Sequence, residues 1–558
     1  MNYELYPDSA NDLNDIKGTV FANRKYKPPN GGFDDNVASY EMLKNMSEAV
    51  KLFDTYKDKR IGIVVDSDCD GDSSASILYR YIKKNFGNTP SYYLHSKKAH
   101  GLSDDLPPIE NIDLLIIPDA GTNDAQQCKE LYERGVRILI LDHHIKEREN
   151  PYAVIVNSQA GNYPNKELCG TGVTWQFLRA LDEFYWLEDA DSYLDVVTMA
   201  TIADIMDVTL PENRTIIDCG LANITHPLFI ALADKANTPV QTLTGYDCQF
   251  GIIPLINATI RVGTQEDKEL LFKAFCCELE YFDYKKRGSD EIIEENIYDR
   301  AARLSYNARQ RQKKVKNAEL EDLIDQIERK KLYLNKLLVT NGTKTEQALT
   351  GMLASALADR YNKPCLVLRR MPDGNYGGSG RNSKISPVAE LKPALEQTGM
   401  FEMIAGHNNA FGLEICKDKI RPMIELLNER FADVVACLYV DFIIDADDLT
   451  FDLIASICRQ VMPYCGTGFE PPMIAVTNIE VRRDMIKSMA GGTSLKIITD
   501  NDVAIAKFGL GEDDPLRMWY ESDKDDSIMI DVVGKCGMNY WGGIMSAQLV
   551  ATEWDICS

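Results

Sequence analysis

Three apolar runs in the first 145 residues each end in aspartate: Ile61-Gly62-Ile63-Val64-Val65-Asp66, Leu114-Leu115-Ile116-Ile117-Pro118-Asp119 and Ile138-Leu139-Ile140-Leu141-Asp142. A short, unbroken apolar run bounded by polar loops reads as a strand buried on both faces, which belongs in a parallel sheet. Helical stretches over Ser73–Phe86 and Asn123–Arg134 separate the runs, and a fourth strand is expected over Ala153–Asn157. The alternation predicts a βαβ series and an α/β fold. Ligands bind such sheets at the carboxyl edge of the strands. The first run continues as Asp66-Ser67-Asp68-Cys69-Asp70-Gly71-Asp72 and the third as Asp142-His143-His144, so that edge gathers several carboxylates and two imidazoles. Uncompensated, so much negative charge would repel itself. Divalent cations compensate it, and oxygen with imidazole ligands suits Mn²⁺ or Mg²⁺.

The spacing of Asp68 and Asp70 in an extended loop lets both reach one metal centre, with Gly71 relieving a tight turn after them. A calcium hand is excluded: it needs a preceding helix and a glutamate at its twelfth position, whereas a strand precedes here and Ile77 occupies that position. Only six histidines occur in the chain, and two of them follow Asp142 directly. Four or five oxygens and an imidazole can hold two ions bridged by a shared carboxylate, about 3.5–4 Å apart, an arrangement suited to in-line phosphoryl displacement. Hydrolysis of a phosphate ester is the chemistry implied.

At 558 residues the chain is too long for one core, and two to four domains are expected. No run of about 18 apolar residues occurs, so no membrane span is expected. The N-terminal residues lack a signal peptide's basic and apolar regions, which predicts a cytoplasmic protein. Fourteen scattered cysteines without a C-x-x-C pair read as reduced thiols rather than a zinc site. A net charge of −24 is unusual for a nucleic-acid binder. Part of it is the candidate ligand cluster, however, and Arg300, Arg303, Arg309, Arg311, Lys313, Lys314 and Lys316 form a local basic run, readable also as one solvated helix face.

Five segments are expected: an N-terminal arm and helix (1–55), the α/β domain (56–285), a long charged connecting helix (286–338), a second α/β unit (339–432) and a strand-rich C-terminal part (433–558) whose short strands suggest a small β-barrel. In the second unit, Ala348–Tyr361 is expected to be helical, Cys365–Leu368 a strand, and Gly377-Gly378-Ser379-Gly380-Arg381 a glycine-rich turn.

The motifs together resemble the DHH-family phosphoesterases, in the branch of the RecJ single-strand exonucleases. They are Asp66-Ser67-Asp68-Cys69-Asp70-Gly71, Ile116-Ile117-Pro118-Asp119-Ala120-Gly121, Asp142-His143-His144, Leu168-Cys169-Gly170-Thr171-Gly172 and Thr201-Ile202-Ala203-Asp204-Ile205-Met206. Downstream, Leu349-Thr350-Gly351, Ser379-Gly380-Arg381 and Ala405-Gly406-His407 resemble a DHHA1 domain. Pro463–Pro471 and Asn539–Gly543 resemble the OB-fold that RecJ carries. The resemblance implies a parallel-sheet DHH domain, a DHHA1 domain joined by a long helix, and an OB-type barrel. It implies that Asp68, with Asp66 nearby, holds one ion; that Asp70, His143 and Asp204 hold the other; and that Asp119 bridges. It places His144 beside the scissile phosphate, Ser379, Arg381 and His407 on phosphate and nucleotide, and Asn157 on the same sheet edge. Tyr540 and Trp541 are stacking candidates in the barrel.

The activity implied is 5′→3′ hydrolysis of single-stranded DNA to 5′-mononucleotides with two Mn²⁺ or Mg²⁺ ions, in DNA repair, recombination or replication. Single-stranded DNA, a helicase and a single-strand-binding protein are the partners implied; no membrane association is expected, and a monomer is the default. One departure stands out. Other branches carry a histidine four residues before the position of Asp68; here it is Val64, leaving the first ion short of a nitrogen ligand. A phosphodiesterase of short oligonucleotides or cyclic dinucleotides shares the metal site but has no need of a terminal barrel. A non-catalytic replication scaffold could dispense with the ligands that this chain retains.

Overall fold

The computed structural model describes residues 1–557 except 8, 98, 103–108, 287, 289, 343–346, 384–385, 387, 433–436, 490–491, 512–513, 523–525 and 542–543. The chain forms two compact units.

One unit comprises Tyr26–Gln312 with Met462–Glu470. Its centre is a five-stranded sheet of β1 (Ile61–Val65), β2 (Ser91–Leu94), β3 (Leu114–Pro118), β4 (Arg137–Asp142) and β5 (Val154–Asn157), in spatial order β2-β1-β3-β4-β5. All four pairings are parallel. Every residue of β1 and β3 is buried, which is why these runs lack the alternation of a half-exposed strand. Leu115, Ile117, Ile138 and Ile140 share one core with Cys128 and Leu131 of helix α2 (Ala125–Glu133). Strand order reverses between β1 and β3, so the crevice beyond their carboxyl ends is the natural ligand position, and Asp66 and Asp119 stand there.

Helix α1 spans Cys69–Phe86 and begins earlier than expected. Asp68 is its N-cap and accepts from the N–H groups of Asp70 and Gly71. Asp70 and Gly71 are therefore helical, not part of an extended loop. The glycine answers to close packing rather than a turn: a Cβ on Gly71 would lie 2.5 Å from the carbonyl oxygen of Asp66. Helices α3 (Gly170–Tyr185), α4 (Leu194–Ala203) and α5 (Ile253–Val262) complete the surroundings of the site. The connecting helix α6 spans Ile297–Lys330, shorter than its charged sequence suggested. The residues before it form a hairpin, Tyr281–Lys285 against Ile292–Asn296. Arg303 pairs with Glu295 at 2.7 Å and Arg300 lies over the Phe282 ring, so this part of the basic run serves the hairpin. The segment expected to belong to the barrel, 462–470, lies in this unit: Val208 donates to the Thr467 carbonyl and Arg214 to that of Pro463.

The other unit comprises Met1–Lys25, Lys313–Val461 and Pro471–Ser558. The N-terminal arm is built into it. Tyr3–Leu5 pairs in parallel with Leu438–Val440, and Arg24 forms a two-pronged pair with buried Asp441. A five-stranded sheet holds Leu338–Asn341, Cys365–Arg370, Tyr376–Arg381, Ala410–Ile415 and Phe401–His407 in that spatial order. The expected glycine-rich turn is thus a strand, hydrogen-bonded on both sides. The helix Gln347–Tyr361 packs on it closely: a Cβ on Gly351 would lie 2.7 Å from the Arg381 guanidinium, and the Thr350 hydroxyl bonds that of Ser379 at 2.8 Å. The C-terminal strands form one mixed sheet of seven, running Phe442–Asp445, Met473–Arg482, Ser527–Trp541, Ile544–Ile556, Ala504–Phe508, Ser494–Ile498 and Ile486–Met489. The side chains of Tyr540 and Trp541 lie outside the described residues.

Candidate active site

At the carboxyl edge of β1, β3 and β4, three groups of side chains converge: Asp66 with Asp68 and His100; Asp70 with His143 and Asp204; and Asp119 with His143 and His144. Within each group the donor atoms lie within 4.8 Å of one another. This spacing suits ligands around a single ion, since octahedral bonds of about 2.1 Å separate neighbouring ligands by about 3 Å and opposite ones by about 4.2 Å.

Each position has a local cause. Asp70 sits in the first turn of α1, and its carboxylate accepts from the N–H groups of Gly170 at 2.7 Å and Thr171 at 2.8 Å. Those amides open α3, so a helix N-terminus holds this carboxylate in place. Gly170 is forced by contact, because a Cβ there would lie 2.3 Å from Asp119 Oδ1. Asp119 itself is left-handed, at φ +68°, and its amide donates to the Leu141 carbonyl at 2.7 Å. Asp204 ends α4. Ile205 after it takes φ +59°, a costly conformation for a β-branched residue, and the Met206 amide closes on the Thr201 carbonyl. His143 Nε2 stands 3.3 Å from Asp119, 3.4 Å from Asp204 and 4.0 Å from Asp70.

The electrostatics are those of a site built for cations. Asp119 is 2 % exposed, and among the described residues its Oδ1 makes no hydrogen bond, with His143 Nε2 3.3 Å away. Burial, then Asp70, Asp68, Asp66 and Asp204, push its pKa well above the carboxylate range. Burial and the neighbouring carboxylates raise Asp204 and Asp68 in the same direction. Burial lowers His143, favouring the neutral imidazole that binds metals. A buried carboxylate oxygen that makes no hydrogen bond among the described residues, close to four other carboxylates, is the observation by which this set fits divalent ions.

Asp142 lies one step behind. Burial would raise it, but donation from His144 and Thr122 outweighs this and holds it well below the usual range. Its Oδ1 also accepts the His143 and His144 amides. His144 Nδ1 bonds Asp142 at 2.8 Å, and this bond raises the imidazole to about 9, so His144 keeps its proton at neutral pH. Asn157 donates to Thr122 Oγ1 and to the His144 carbonyl, tying the edge of β5 to this loop.

The sequence reading passed over two residues. His100, in the segment after β2, meets Asp66 with Nδ1 2.6 Å from Oδ2. The scarcity of histidines was a signal for it, but no spacing rule links it to Asp66. Arg261 on α5 is half-buried; burial lowers its pKa, against the opposing pull of Asp68. Arg309 of α6 is likewise lowered by burial and then by Arg261. In the other unit, the register aligns Arg381, Ala410 and His407 in one row across three strands, and Ser379 is two residues from Arg381, so the three expected substrate residues share a sheet face.

The profile of the DHH family, N-terminal domain, matches residues 60–201. Over its full length the chain is 32 % identical to a putative single-strand DNA-specific exonuclease, YorK, of the SPβ prophage of Bacillus subtilis strain 168, covering 98 % of that protein. This chain belongs to the DHH family, in its RecJ-type exonuclease branch. The RecJ single-stranded-DNA-specific exonuclease of Escherichia coli K12 is 24 % identical, over 71 % of this chain and 70 % of that one. The fold agrees: RecJ of Thermus thermophilus, solved with Mn²⁺, superposes with a TM-score of 0.70 at 19 % identity, covering 97 % of this chain and 76 % of that one. The same protein has been solved with Mg²⁺. The chain is a DHH-type nuclease, and its DHH triplet is Asp142-His143-His144. Among the described residues, no single helix is long and apolar enough to cross a membrane.

Proposed function

We propose that this RecJ-type chain hydrolyses single-stranded DNA from the 5′ end, releasing 5′-mononucleotides with the help of two divalent ions, in DNA repair, recombination or replication. The observation that carries the reading is the set of three adjoining ligand groups, Asp66–Asp68–His100, Asp70–His143–Asp204 and Asp119–His143–His144, the last two sharing His143. Its relatives' names supply the substrate class. Asp66 and Asp68 would hold one ion, Asp70, His143 and Asp204 the other, with Asp119 shared between them. When bound, such ions polarise phosphate oxygens and make bound water a nucleophile near neutral pH.

The chain's own groups do the rest. His144, kept protonated by Asp142, donates to a phosphate oxygen as negative charge builds on it. Asp142 fixes the ring by accepting at Nδ1, which leaves Nε2–H for the phosphate. Arg261, held near Asp68, neutralises a second phosphate charge. Ser379, Arg381 and His407 bind phosphate and nucleotide from their shared sheet face.

The test is product analysis with Mn²⁺ on single strands labelled at either end, beside a duplex and a cyclic dinucleotide, with Asp119→Ala run in parallel. Immediate mononucleotide release from the 5′ label, lost in the variant, supports the proposal. Inert DNA with cleaved dinucleotide would move the assignment to a small-nucleotide phosphodiesterase.

A further inference from the structure

We propose that His100 is a metal ligand, supplying the nitrogen that the Asp66–Asp68 ion lacks at Val64. The inference rests on the metal-dependent reading above and extends it to a residue outside the sequence motifs.

Three observations carry it. First, the donor atoms of Asp66, Asp68 and His100 lie within 4.8 Å of one another, a spacing that fits one ion. Second, the segment bearing His100 is fastened onto Asp66. Gly101, at φ +60°, donates its amide to Asp66 Oδ1 at 2.9 Å while His100 Nδ1 meets Oδ2 at 2.6 Å. On one side of this pair Ser67 and Ala99 bond each other; on the other, the Leu102 amide donates to Asp124 at 2.8 Å. The imidazole is thus fixed at both flanks. Third, this group adjoins the rest of the cluster, since Asp119, grouped with His143 and His144, feels the charges of Asp66 and Asp68. An ion there would meet the carboxylates of Asp66 and Asp68 and, through His100, one imidazole, matching the nitrogen that His143 gives the group of Asp70 and Asp204.

A residue that merely positioned Asp66 would also affect affinity, so the decisive readout is spectroscopic. The full chain, freed of metal by chelation, is titrated with Mn²⁺ by calorimetry, and its nitrogen couplings are read by electron spin-echo methods. We expect His100→Ala to weaken one of two binding events on the order of 100-fold, leaving the other unchanged. In His143→Ala, nitrogen coupling to Mn²⁺ should persist, disappearing only in the double variant with His100→Ala. Two undisturbed binding events in His100→Ala, or loss of all nitrogen coupling in His143→Ala alone, would overturn the assignment while leaving the two-ion reading intact. No Mn²⁺ binding by the unaltered chain would overturn both.

Discussion

Replacing Asp204 with asparagine should make the metal-free protein more stable and the Mn²⁺-loaded protein less so. The carboxylate oxygens of Asp70 and Asp204 lie within 4.8 Å of each other. At an effective dielectric of about 20, two unit charges at that separation repel by about 3.5 kcal/mol. The Asp204 side chain is 30 % exposed, so solvent screening and partial proton uptake cut this to about 1–2 kcal/mol. For a unit of this size that is a rise of about 2–3 °C in Tm. Mn²⁺ at about 100 times its Kd would add about 2.7 kcal/mol to the unaltered protein, a larger gain. Asp204→Asn, lacking one charged ligand, should keep little of it. The assay is thermal unfolding by calorimetry in chelator and in Mn²⁺. The variant should melt above the unaltered protein in the first condition and below it in the second. A variant that melts lower in chelator would refute the argument that this cluster is a repulsive assembly awaiting cations. Equal Mn²⁺ gains in both proteins would refute the role of Asp204 in holding one.

The same electrostatics set a pH dependence. Asp119, Asp204 and Asp68 have pKa values raised in the folded, metal-free state, so their contribution to stability is present below their ordinary values and drains away as pH rises through the raised ones. The Mn²⁺-induced rise in Tm should therefore be greater at about pH 8 than at about pH 5.5, and a flat profile would count against the shifts. Gly170→Ala places a methyl group 2.3 Å from Asp119 Oδ1 and 2.6 Å from its Cα, which should cost about 1–3 kcal/mol and weaken Mn²⁺ binding measured by calorimetry. Arg24→Ala leaves Asp441, whose side chain is 0 % exposed, with the Met473 amide but without its charged partner. Urea unfolding should show a loss of about 3–5 kcal/mol with metal binding unchanged.

Much of the candidate site was legible because it depends on local rules. An apolar run that ends in aspartate fixes both the strand and the position of the carboxylate, so Asp66, Asp119 and Asp142 could be placed from their neighbours alone. His143, His144 and Asn157 follow by adjacency to a strand end. The turn attributed to Gly71 and the glycine-rich turn at Gly377–Arg381 were misjudged for a common reason. Glycine signals either a special backbone angle or a close approach, and only the packed structure distinguishes them. Gly71 serves the approach of Asp66, and Gly377–Arg381 is a strand beneath a helix.

What the sequence determined by itself was the alternation of buried strands and helices, and with it the chemistry assembled at one sheet edge. Tertiary structure decided which distant segments complete that edge and that core. His100 reaches Asp66 across 34 residues, the amides of Gly170 and Thr171 reach Asp70 across about 100, and 462–470 returns to Val208 and Arg214. Such pairings carry no periodicity in the chain. They arise because buried carboxylates must find donors and buried backbone must find partners, and the nearest ones in space are set by how the helices pack.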